Sequence, residues 1–120
     1  MLAGFILMAQ MATPSLTYRQ AKAQADADEN SLPAVVHVHL LESQDKVLKA
    51  AVAECARPHP NLSPFTVVLS LHADGSVAAS WLQGRTPFAR CVRTQLVASG
   101  VPGHWPAAFH TSFEVSFHGQ

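Results

Sequence analysis

The clearest pattern along the chain is an alternation of apolar and polar positions. Phe65, Val67, Leu69 and Leu71 alternate with Thr66, Ser70 and His72, which predicts a strand with one apolar face. Asp74-Gly75 follows, a pair that supplies the positive φ values of a tight hairpin turn. Val77, Ala79 and Trp81 continue the alternation on a return strand, which Gly84 ends. Near the C-terminus Phe109, Thr111, Phe113, Val115 and Phe117 alternate with His110, Ser112, Glu114, Ser116 and His118, predicting a closing strand. The odd-numbered residues of these strands, Trp81 among them, are expected to face a core and the polar set to face water.

Helical spacing appears twice. Val47, Leu48, Ala51, Val52 and Cys55 share one face of a helix that Ser43 is placed to cap and that Pro58 and Pro60 stop. Asp45 and Lys49 form an i, i+4 pair on its other side. Thr86-Pro87 is a capping residue followed by proline at the first helical position. Phe88, Cys91, Val92 and Leu96 then recur on one face before Gly100 and Pro102. Upstream, Ala-Val-Val-His-Val-His-Leu-Leu after Pro33 is rich in β-branched residues and predicts a strand over 34–41. The order is β-α-β-β-α-β. It implies an α+β domain, a two-layer sandwich of a small antiparallel sheet with two helices on one face.

The first 18 residues carry no charge, and the run from Leu2 to Ala12 is mostly apolar. It is too short to cross ~30 Å of hydrocarbon but has the size of a secretory h-region. Ala21-Lys22-Ala23 and Ala23-Gln24-Ala25 have the spacing a signal peptidase reads. We therefore expect a signal peptide over 1–25, a flexible polar segment over 26–32 and a single domain over 33–118. The other reading of the start is a buried N-terminal helix of the domain. Export places the mature chain in the periplasm or outside the cell, with no membrane span. Two cysteines then become a single staple: Cys55 and Cys91 lie on the apolar faces of two helices packed against the same sheet, so a disulfide between them is expected. In a cytosolic chain they would instead be two reduced core thiols.

The chain has 120 residues, with equal numbers of acidic and basic side chains. Removing residues 1–25 takes away Arg19 and Lys22 and no acid, a balance of −2 for the remainder. That balance argues against a nucleic-acid partner, which calls for a basic excess.

These pieces together resemble the C-terminal domain of TonB- and TolA-like proteins, most closely its AgmX/PglI branch. The matching text is Ala51-Val52-Ala53-Glu54-Cys55, Pro60-Asn61-Leu62, the strand from Phe65 to Leu71 and Asp74-Gly75-Ser76-Val77. Ala89-Arg90-Cys91-Val92 and Phe113-Glu114-Val115-Ser116-Phe117 complete it, over about residues 43–117. Two departures stand out. The chain has Gly100-Val101-Pro102-Gly103-His104-Trp105 where the family has a Phe-Pro step, and Ala56 where it carries an aromatic. The resemblance implies a non-enzymatic envelope domain that docks a protein or peptide segment, through a sheet edge.

No catalytic motif appears, whether nucleophile elbow, zinc-protease helix or phosphate-binding glycine loop, and no cofactor is implied. Histidine is the one compositional excess. On the predicted strand His37 and His39 point to one face, and His72, His110 and His118 fall on polar faces of the others. A periplasmic metal-binding protein using these side chains for zinc or copper is thus the rival reading. Trp105 is either an exposed anchor for a partner or a lid over the helix-sheet seam.

Overall fold

The computed structural model describes residues 15–118. In chain order it has helix α1 (Tyr18–Asn30), helix α2 (Ala34–Cys55), strands β1 (Phe65–Leu71) and β2 (Val77–Gln83), helix α3 (Pro87–Ser99) and strand β3 (Phe109–Val115). The strands form one antiparallel sheet in the order β2-β1-β3. The fold is therefore α+β.

The strand expected over 34–41 is a correction: this text forms the first turns of α2, continuous with the helix expected after Ser43. Helical spacing places Val36, Leu40, Val47, Leu48, Ala51 and Cys55 against the core, with Leu40 fully buried. Packing of that long face decides between two local readings. It leaves Val35, Val38 and Leu41 more than half exposed. Ser43 caps nothing; its hydroxyl donates to the carbonyl of Pro102, 2.8 Å away.

One sheet face carries Phe65, Val67, Leu69 and Leu71 of β1 with Phe109, Phe113 and Val115 of β3. Against it pack α2 and the buried Phe88, Val92 and Leu96 of α3. Cys55 and Cys91 join the two helices as a disulfide, with Cα atoms 5.8 Å apart. Trp105 is the lid: it is buried, stacks on Phe109 and donates its indole N–H to the Val101 carbonyl at 2.7 Å.

The opposite face is not turned wholly to water, because α1 lies across it. Residues 26–32, expected as a flexible polar segment, are the last turns of α1 and the short link to α2. Thr17 caps α1 in a reciprocal box with Gln20. The two fully buried alanines of α1, Ala21 and Ala25, rest on Val68. Trp81 joins this second cluster, a correction to its expected place in the main core. Leu71 pairs with Val77 but Ser70 pairs with Ala79, so Ala78 is an extra residue. That bulge reverses the side-chain parity for the rest of β2, sending Leu82 to the core and Trp81 to α1. The Trp81 indole N–H donates to the Leu16 carbonyl at 2.8 Å.

Residues 1–14 of the expected leader lie outside the described residues, and the expected cleavage after Ala25 falls inside α1. A chain beginning at Asp26 would uncover Val68 and Trp81. We expect it to lose about 2 kcal/mol of stability and to shift its tryptophan emission to the red, compared with a chain beginning at Ser15. Matching melting curves and spectra for the two would show that α1 adds nothing to the domain.

Candidate functional site

The candidate histidines do not come together. His37 and His39 lie on a helix rather than a strand, so two residues' separation turns them about 200° apart instead of onto one face. His72 sits in the exposed hairpin turn and His118 lies past the end of β3, 3.1 Å from the Ser116 hydroxyl. His110 is buried beneath α1. Its Nδ1 is 3.2 Å from the Ala108 carbonyl and 3.6 Å from Asp28 Oδ2, and its ring lies 5.8 Å from that of Trp81. Among the described residues no group of three or more His, Cys, Asp or Glu side chains is arranged to hold a metal ion.

The sheet's two outer edges differ in a way the sequence does not announce. Along β3 three outward-facing backbone groups are already occupied. The His110 backbone N–H donates to Asp28 Oδ2 and the Ser112 N–H to Glu29 Oε2, each at 2.9 Å. The Thr111 hydroxyl also donates to Glu29. Gln44 Nε2 donates to Thr111 Oγ1 at 2.7 Å and to the Ser112 carbonyl at 3.1 Å. Two carboxylates and an amide thus supply three of the hydrogen bonds a neighbouring strand would supply. Further along, Lys22 bridges Asp26 at 2.6 Å and Glu114 at 2.8 Å. Its hydrogen bonds to these two carboxylates hold the ammonium well above its usual range. Asp28, Glu29 and Gln44 carry no local signal of this role. An acidic pair in a polar segment reads as solvating, and its seat on β3 is made by contacts more than 80 residues apart in sequence.

β2 is the open edge. Its inner side pairs with β1, and among the described residues no backbone or side-chain group bonds to its outer side. Ala78 and Ala79 at its centre are small and exposed. Natural edges are usually blunted by proline, lysine or a cover. Among the described residues the bulge at Ala78 is the one such device on β2.

The arrangement is that of a small disulfide-linked α+β domain with one guarded and one open sheet edge. No helix among the described residues is long and apolar enough to cross a membrane. Searches of protein families, curated proteins and solved structures return no match to the chain.

Proposed function

We propose that the chain is a non-enzymatic, exported adapter domain of the TonB C-terminal-like (AgmX/PglI) kind, which docks an extended segment of an envelope protein on the outer edge of β2. The observation that carries this reading is the contrast between the edges: side chains occupy three backbone groups of β3, and among the described residues nothing bonds to the outer backbone donors and acceptors of β2. Strand addition at such an edge takes affinity from main-chain hydrogen bonds and needs no catalytic or metal group. The paired cysteines accord with an oxidising compartment, periplasmic or extracellular.

The test is site-specific photocrosslinking in envelope extract from Ala79, on the open edge, and from the exposed Thr94 on α3. A partner should crosslink from Ala79 and not from Thr94. It should be lost when Ala78→Pro is added, since proline at an exposed bulge removes a donor with little damage to the sheet. Crosslinks that survive Ala78→Pro in a folded protein, or that arise equally from Thr94, would discard the β2 edge as the docking site.

A further inference from the structure

The disulfide has one sheltered and one approachable end. Cys55, the last residue of α2, is 2% exposed. Cys91, in the second turn of α3, is only half-buried. A cavity of about 330 Å³ opens onto the pair, lined by both cysteines together with Arg57, His59, Asn61 and Phe88. Small-molecule sites begin at about this volume. The wall opposite is the loop after α2, where Pro58 and Pro60 flank His59. That residue has φ 58°, in the left-handed region, a conformation uncommon outside glycine. Arg57 is exposed and makes no ion pair among the described residues, which leaves a cation at the mouth.

We propose that this cavity admits a small anionic thiol of the glutathione class, which forms a mixed disulfide on Cys91. The incoming thiolate attacks Cys91 Sγ, and a new sulfur–sulfur bond forms there. The bond to Cys55 breaks with its electron pair on Cys55 Sγ, which takes a proton from water. One disulfide replaces another, so no oxidant is consumed. Access directs the attack to Cys91, because which sulfur reacts depends on approach as well as on the leaving thiol. Cys55 stays beside the adduct and acts as the resolving thiol. Its thiolate re-attacks Cys91 Sγ and expels the small thiol, so the modification is reversible. The link between α2 and α3 thereby responds to the thiol supply around the protein.

The experiment uses the intact oxidised chain under native conditions, with reduced glutathione as the probe and iodoacetamide to trap the freed thiol. Peptide mass mapping should find glutathione on Cys91 and the alkyl group on Cys55, with a rate that rises in proportion to thiol concentration. Glutathione on Cys55 would overturn the proposal, and so would a rate that is independent of thiol and equal to that of global unfolding. An Arg57→Glu variant should slow the reaction with glutathione about three- to tenfold and that with uncharged 2-mercaptoethanol less than about twofold. Equal rates for wild type and variant with glutathione, or equal slowing of both thiols, would remove the charged mouth from the proposal and defeat the selection of an anionic thiol.

Discussion

Replacing both Cys55 and Cys91 by serine should lower the melting temperature by about 15–30 °C. The bond closes a loop with a sequence separation of 36. In the chain-entropy description such a loop is worth about 3.8 kcal/mol, taken from the freedom of the unfolded chain. For a domain of this size each kcal/mol moves the midpoint by roughly 4–8 °C. The folded state also loses a tether at a vulnerable place. Cys55 ends α2, its cap residue Ala56 is already in extended backbone, and the loop to β1 follows at once. Thermal melts of the oxidised protein, the same protein after full reduction, and the double variant decide the matter. Reduced and double-variant chains should melt together, well below the oxidised one. A midpoint that moves by less than about 3 °C would mean the bond restrains little that packing does not already hold.

Substituting valine for Gly75 should cost about 4 kcal/mol, near the top of what one residue does. Two causes add. Gly75 has φ 91°, a conformation β-branched residues avoid. A Cβ there would also overlap the carbonyl oxygen of Val101, just past α3, whose N–H bonds to the Gly75 carbonyl at 2.9 Å. The turn itself is local: the Gly75 N–H bonds to the His72 carbonyl, and Asp74 Oδ1 accepts from the Ser76 N–H at 2.9 Å and its hydroxyl at 2.7 Å. Those hydrogen bonds, the backbone one first, hold the Asp74 carboxyl below its usual range. Asp74→Ala removes only the local, solvent-exposed part and should cost much less. Urea titrations of the two variants separate the effects. If Gly75→Val costs no more than Asp74→Ala, the docking of the hairpin tip against Val101 is not a stabilising contact.

The elements legible in the sequence are those that neighbouring residues settle. The hairpin follows from two alternating runs and an Asp-Gly turn. In the structure Leu71 lies opposite Val77 as that turn requires. The start of α3 follows from Thr86 and Pro87, and the Thr86 hydroxyl does accept the Ala89 N–H at 3.0 Å. The cysteine pair follows from two apolar helix faces that share one small sheet. All three depend on spacings of a few residues or on a single periodicity, which the chain carries wherever it is read.

Tertiary structure decided the rest. The run from Ala34 to Leu41 satisfies a strand's alternation and also continues the helix behind it. Burial of Leu40 with Val47, Ala51 and Cys55 selects the helix, at the cost of exposing Val35, Val38 and Leu41. One extra residue at Ala78 moves Trp81 to the opposite face, and no composition rule marks a bulge among small residues. The candidate histidines scatter because two of them rest on that helix. The guarded edge of β3 depends on Asp28, Glu29 and Gln44, whose neighbours in sequence say nothing of a strand that follows much later. Local periodicity can specify which face of an element is apolar. Only the assembled sheet specifies which edge is covered, because an edge is defined by what fails to pair with it.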